Sequence, residues 1–367
     1  MIFSRADLGL IGAAVAVAAA AGVTYYGKLG GTVVPFVISG IALALMASLV
    51  GRSVDALGDR LGAGATGVLQ SALGNLPELF VVLFALKKQL YEVATATIVG
   101  SILANVLLVL GLAFMAGGIK HGPQHFGKSA ARNLVMLLVL SVAALMVPAL
   151  TAALHTPAAG HERTLSIVVS ILLLGLFVAS LPAALKRANH EGVKPEGAEG
   201  KERTAAEPEP ESHESSWPLP VAIGMLAATG VGAAFISDWF VAGLEPAMSA
   251  LGISQAFAGL VIVAIAGNAV ENVVGIQLAA KNQPDYAISV ILQSPVQIAL
   301  VVAPALVLLS PLVGASFTLV LPPLLIAALI MAVLVTAIVV LDGESNWLEG
   351  AALIVLYGIV AAAFWWG

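Results

Sequence analysis

Eleven apolar runs follow one another along the chain, separated only by short charged or Pro/Gly-rich breaks. Their approximate spans are 8–25, 31–51, 62–86, 91–117, 130–150, 163–185, 219–240, 253–280, 286–310, 318–341 and 347–365. Runs of about 20 apolar residues match helices crossing ~30 Å of hydrocarbon. They do not alternate with period two, and in lipid only helices or closed barrels satisfy the backbone. The expected fold is an all-α polytopic membrane protein. Composition agrees: 60% of residues are hydrophobic and 10% charged, where a soluble protein carries about 25% charge. The segment from Arg52 to Leu61 mixes Arg52, Asp55, Asp59 and Arg60 with apolar positions and reads as an interfacial extension.

Charge is concentrated in one place. Lys186 to Glu214 holds 13 of the 37 charged residues in 29 positions. With the N-terminus in the cytoplasm, the inside segments carry 12 Lys and Arg and the outside segments 4, as the positive-inside rule requires. Eleven spans then leave the C-terminus outside. Arg5 before an Ala-rich run also has the form of a signal peptide, although a retained first helix fits the orientation count better. Cysteine is absent, which excludes disulfides, thiolate chemistry and Cys-ligated metal. The net charge of −5 is mostly set by the acidic loop and gives no support for nucleic-acid binding.

The chain repeats itself. Gly74-Asn75-Leu76-Pro77-Glu78 recurs as Gly267-Asn268-Ala269-Val270-Glu271, 193 residues later, and 8 of the 28 positions from Gly74 to Ser101 are identical at that offset. Chance matches of Ala, Val and Leu are common in such helices, but Gly, Asn, Glu, Lys and Ser in register are not. Four segments follow: an N-terminal transmembrane helix (1–28), a first five-helix repeat (29–185), an acidic cytoplasmic linker (186–218) and a second five-helix repeat (219–367). Five is odd, so the second repeat enters the membrane inverted. Inverted halves are a recurring plan of secondary transporters, with the site at mid-membrane.

Only two acids fall well inside the expected spans, Glu78 and Glu271, at equivalent places in the two repeats. A buried carboxylate usually marks function, and no Lys, Arg or His lies deep in a span to pair with either. Asn75 and Asn268 precede them by three residues, which puts each pair on one helix face. Gly74, Gly267, Pro77 and Pro295 allow unwinding and free carbonyls. Ser101 and Asn105 on one helix, Ser294 and Gln297 on another, add a second polar set, although such residues also glue helices together. Gln70, Gln277 and Asn272 read more readily as helix–helix hydrogen-bonding groups. All six His fall in expected loops. Two carboxylates with amide and carbonyl oxygens describe a hard-cation site, with Glu78 and Glu271 as the metal ligands. One divalent ion neutralises the pair, and so do two protons. A carrier that changes access only when neutralised exchanges one for the other, with at least two protons per divalent ion.

The paired motifs, each followed by a Ser-containing helix, resemble the calcium/cation antiporter superfamily. The Asn before each acid, and Gly100-Ser101-Ile102-Leu103-Ala104-Asn105, are similar to its proton-coupled branch, the Ca²⁺/H⁺ exchangers. The resemblance covers helices two to eleven. It implies a transporter rather than an enzyme, with no cofactor, that exports Ca²⁺ in exchange for H⁺ across a prokaryotic plasma membrane. It further implies that Glu78 and Glu271 bind Ca²⁺ and protons alternately, and that Asn75, Asn268, Ser101, Asn105, Ser294 and Gln297 line the site. In this family the helices corresponding to 31–51 and 219–240 slide or tilt to switch access. The sequence departs from the pattern at Asn272, where many relatives have His, and at Gln293-Ser294-Pro295, where Gly is expected before the Ser. A Na⁺-coupled exchanger on the same fold is the alternative, disfavoured because such relatives tend to carry Ser or Thr where Asn75 and Asn268 stand. A passive cation channel and a membrane enzyme are more distant readings. The acidic loop, with eight Glu from Glu191 to Glu214, reads as a solvated linker rather than a Ca²⁺ sensor.

Overall fold

The computed structural model describes residues 3–61, 73–191 and 217–366, with the side chains of 58–61, 181–191, 270 and 271 outside that description. Its helices are α1 (Arg5–Gly27), α2 (Val33–Leu61), α3 (Leu76–Lys87), α4 (Tyr91–His121), α5 (Lys128–Ala153), α6 (Glu162–Glu191), α7 (Leu219–Leu251), α8 (Gln255–Gly267), α9 (Ala269–Ala280), α10 (Pro284–Val313), α11 (Pro323–Leu341) and α12 (Trp347–Ala363). Among the described residues, eight helices are long and apolar enough to span a bilayer alone, or nine if the bent pair α8 and α9 counts as one span. α12 is shorter but apolar. Of the expected run 62–86, residues 62–72 lie outside the described residues and α3 supplies the rest. Strands are confined to two residues each: β1 (Gln124–His125) pairs antiparallel with β2 (Glu344–Ser345).

The protein is a multi-pass membrane protein, and its surface says so. Ile338, Leu172, Ile359 and Phe235 point outward at 60–73% exposure. In water such a surface drives aggregation; in a bilayer it is the lipid face. The helices most enclosed by protein are α4 and α10, which form the centre of the bundle. α2 and α7 lie against each other over much of their length, with Phe36 and Phe240 stacked at a centroid distance of 4.7 Å. Both outrun their expected spans, α2 continuing as helix through the Arg52–Leu61 segment and α7 through Leu251.

Where the sequence predicts one helix over 253–280, the chain bends by 63° between α8 and α9. Gly267 and Asn268 make the break, and Ala264 O there accepts from both the backbone N–H of Asn268 at 3.2 Å and its side-chain Nδ2 at 2.9 Å. α3 starts at the equivalent place, with Pro77 in its first turn, where a missing N–H leaves no bond unmade. Asn75 (φ −93°, ψ 17°) and Asn268 (φ −103°, ψ 17°) share one non-helical conformation. Each Asn is therefore a junction residue, not a member of the same helical face as its Glu.

The 193-residue offset reappears in the elements. α3 and α9 have the same length at that spacing, and each is followed by a residue with positive φ, Gln89 (63°) and Asn282 (61°). π-helical turns interrupt α4 at Ala104–Val109 and α10 at Ile298–Val302, and a third interrupts α8 at Ala258–Val263. Such turns frequently sit at functional sites. α4 crosses α8 so closely that a methyl at Gly100 would lie 2.3 Å from Leu260 O, and one at Gly259 would lie 2.5 Å from Val93 O. Only glycine allows that approach, and it sets Ser101 beside the α8–α9 break.

Candidate ion-binding site

The two helix breaks meet at the centre of the bundle. Gly267 faces Glu78: a Cβ there would stand 3.6 Å from the Glu78 Cβ. Glu78 lies in the first turn of α3 and is 2% exposed. The positive end of the α3 helix dipole points toward it. Ser101 Oγ donates to Glu78 Oε1, and Asn268 Nδ2 approaches the same oxygen at 3.4 Å. Glu271 is the third residue of α9, the equivalent turn, and its side chain lies outside the described ones.

Around this carboxylate the other expected residues converge. Asn268 Nδ2 also reaches Ser101 Oγ at 3.1 Å, and its Oδ1 accepts from Ser294 Oγ at 3.2 Å. Asn105 Nδ2 donates to Ser101 O at 2.9 Å and lies 3.3 Å from Ser294 Oγ and 3.4 Å from Asn268 Oδ1. Across the site, Asn75 Nδ2 donates to Gln297 Oε1 at 3.0 Å. All six of these polar residues are buried. One network thus joins α3, α4, the α8–α9 break and α10, drawing on both halves of the chain. Asn105 Oδ1 is buried and has no hydrogen-bond partner among the described residues. A buried acceptor of that kind is costly unless something coordinates it. A cation does so.

The donor set is hard. Hydroxyl, amide and carboxylate oxygens suit Ca²⁺, which takes 6–8 of them in flexible geometry. No group of three or more His, Cys, Asp or Glu that could hold a metal occurs among the described residues. Of the weaker candidates, Asn272 is buried on α9 with its Oδ1 also lacking a partner among the described residues, Gln277 is exposed, and Gln70 lies outside the described residues. One contributor escaped sequence reasoning. Thr336 Oγ1 on α11 donates to Ala332 O at 2.7 Å and to Val106 O at 3.2 Å, the latter inside the π-helical turn after Asn105. A lone hydroxyl in a long apolar run was its only signal.

Paired half-helices, an acid in the first turn of each, and neutral oxygens between them are the makings of a cation carrier. The chain belongs to the sodium/calcium exchanger protein family, whose model matches residues 31–186 and 221–366. It is 35% identical over 339 residues to a protein of Synechocystis sp. named Ca(2+)/H(+) antiporter, covering 90% of each chain. It is 36% identical over 331 residues to the Ca(2+)/H(+) antiporter ChaA of Bacillus subtilis, covering 90% of this chain and 91% of that one. Its structure matches that of native YfkE with a TM-score of 0.77 at 32% identity, over 95% of this chain and 98% of that one. A crystal structure of an H⁺/Ca²⁺ exchanger, CAX, shares the fold with a TM-score of 0.73 at 14% identity, over 98% of this chain and 92% of that one. The chain is a transporter of this family, not an enzyme.

Proposed function

We propose that the protein is a secondary active antiporter that moves Ca²⁺ out of the cytoplasm in exchange for H⁺, with Glu78 and Glu271 binding the two ions in turn. The observation that carries this reading is the environment of Glu78: a buried carboxylate at a helix break, held by Ser101 of its own half and Asn268 of the other. Asn75, Asn105, Ser294 and Gln297 complete the oxygen lining.

The chain divides into an N-terminal helix (1–28), two inverted five-helix repeats (29–185 and 219–367) and a linker (186–218). The equal lengths and junction angles of α3 and α9 support the division, as do the two stretches matched by the family model. Packing is reciprocal as well: α12 lies against the second part of α4, and α6 against the equivalent part of α10. The Lys and Arg count supports a cytoplasmic N-terminus and linker, in a cell whose inner membrane holds the protein.

Coupling follows from charge. Two ionised carboxylates give −2, and enclosing them without a counter-ion is costly in a low-dielectric interior. Ca²⁺ cancels that charge, and so do two protons. Access changes only for the neutral site, so each Ca²⁺ that leaves is followed by at least two protons returning. α2 and α7, the first helices of the two repeats, are the pair whose movement opens the site to one side or the other.

Purified protein in vesicles with an imposed pH gradient tests the proposal. Ca²⁺ uptake follows the proton gradient and fails in Glu78→Gln and in Glu271→Gln. Uptake driven by a sodium gradient alone would overturn the proton assignment. Undiminished activity in both variants would overturn the site.

A further inference from the structure

A second buried carboxylate stands far from the exchange site in the sequence and is tied to three elements at once. Asp7, in the first turn of α1, is 8% exposed. It completes its own helix cap: Ser4 Oγ accepts from the Asp7 N–H at 3.1 Å, and Asp7 Oδ2 accepts from the Ser4 N–H at 3.0 Å. A capping box needs nothing more. Yet Oδ1 also accepts from Arg52 Nη1 of α2, and Oδ2 from Trp217 Nε1 at 3.2 Å. Trp217 lies two residues ahead of α7, is 2% exposed, and meets Phe3 edge-on at 5.2 Å between centroids. Ala56, Leu57 and Ala222 are buried with it, and Met225 and Leu226 pack on the same cluster.

The other end of α1 grips α7 again. Gly22 abuts the Trp239 ring, Tyr25 stacks on it at 6.0 Å, and Tyr26 meets it edge-on at 5.8 Å. Between the two ends α1 packs along α2, yet only 17% of its span is buried. α1 therefore clasps the α2–α7 pair and otherwise faces lipid. A surface ion pair is worth little. Here, however, the carboxylate is nearly enclosed, and one of its donors is a buried indole.

We propose that Asp7 is a positioning residue for exchange: it fastens the start of α7 to α2, so that α1, α2 and α7 move as one body when access switches. The proposal rests on the alternating-access reading of that pair. Asp7 reaches Arg52 and Trp217 together in the register of the two helices seen here. A slide between them at this end breaks the cluster, whereas a joint movement preserves it.

The test uses the full-length protein in vesicles. Asp7→Asn lowers the maximal rate of Ca²⁺/H⁺ exchange by about tenfold, the factor commanded by one hydrogen bond to a charged group. The KM for Ca²⁺ and the Ca²⁺-induced rise in thermal midpoint stay as in the parent. Trp217→Phe, which keeps the ring and loses the donor, lowers the rate in the same way by a smaller factor. It stands in for Asp7→Asn should that variant fail to fold. Because the chain has no Cys, an Asp7→Cys/Trp217→Cys pair can be bridged selectively by a bifunctional thiol reagent. The reduced pair is slow, and bridging restores the rate. A parent-like rate in Asp7→Asn or Trp217→Phe, or arrest on bridging, would overturn the proposal. Glu78→Gln, run in parallel, separates the two readings: its failure to abolish exchange would count against the exchange site and not against the clasp.

Discussion

Gly100→Ala is the sharpest probe of how the site is held. A methyl at this position lies 2.3 Å from Leu260 O and 2.5 Å from Leu260 Cα, both backbone atoms of α8. No flexible side chain can yield, so the helices themselves must part. Restoring the contact to 3.0–3.4 Å takes a displacement of about 0.7–1.1 Å, and overpacking of this kind costs about 1–3 kcal/mol. The displacement acts on the next residue. Ser101 Oγ and Asn268 Nδ2, now 3.1 Å apart, separate beyond hydrogen-bonding distance. Losing that bond adds about 1 kcal/mol, so the KM for Ca²⁺ rises about fivefold or more while the thermal midpoint falls. The assay is Ca²⁺ uptake into vesicles across a Ca²⁺ titration, with thermal denaturation of the purified protein alongside. Gly175→Ala on α6 is the control, because a methyl there meets nothing within 4 Å. A Gly100→Ala protein with parent-like KM and midpoint would refute the close-crossing argument and the placement of Ser101 that depends on it.

Two further outcomes bear on the ion chemistry. Ser101→Ala removes the hydroxyl that donates to Glu78; a hydrogen bond to a charged group is worth about 1.5–3 kcal/mol, so Ca²⁺ affinity falls about ten- to hundredfold in equilibrium binding, and Ser101→Thr restores most of it. In the proposed cycle protons compete with Ca²⁺ for the same two carboxylates. Apparent affinity therefore falls as pH falls, by up to about a hundredfold per unit when both must deprotonate and at most about tenfold in Glu78→Gln. A parent slope of one, by isothermal titration across pH, would show that a single carboxylate carries the coupling.

Much of this was legible in the residues because membrane chemistry leaves few options. Apolar run length locates the helices, and the rarity of intramembrane charge isolates Glu78 and Glu271. Gly74-Asn75 and Gly267-Asn268 announce a local weakness in the helix, and the chain does break there. The bend at Gly267 was hidden because the run 253–280 is apolar on both sides of it, and hydropathy records composition rather than direction. The ends of α2 and α7 were hidden for the converse reason: a helix held by tertiary packing continues past the hydrocarbon, so the charges that mark the membrane boundary do not mark the helix terminus. π-helical turns have no residue signature in this chain. Their partner Thr336 becomes visible only when α11 is laid beside Val106. Asp7 was equally silent, because nothing local distinguishes an acid that merely caps a helix from one that also ties two others together.

The break in each half-helix also explains why the acids sit where they do. Starting a helix at the break turns its N-terminus, the positive end of the helix dipole, toward the site. A single dipole of this kind contributes about 0.3–1 kcal/mol, up to about 2 when partly buried. In the proposed cycle, two carboxylates sharing one Ca²⁺, each with an oxygen about 2.3–2.6 Å from the metal, would stand about 5 Å apart. At an effective dielectric of about 20 they repel by about 3 kcal/mol when the ion leaves. In the proposed cycle that repulsion keeps the empty, ionised site from closing. Closure without an ion is disfavoured by roughly two orders of magnitude. Exchange in the proposed cycle is thus enforced by the electrostatics of two side chains, and no separate gate has to recognise which ion has bound.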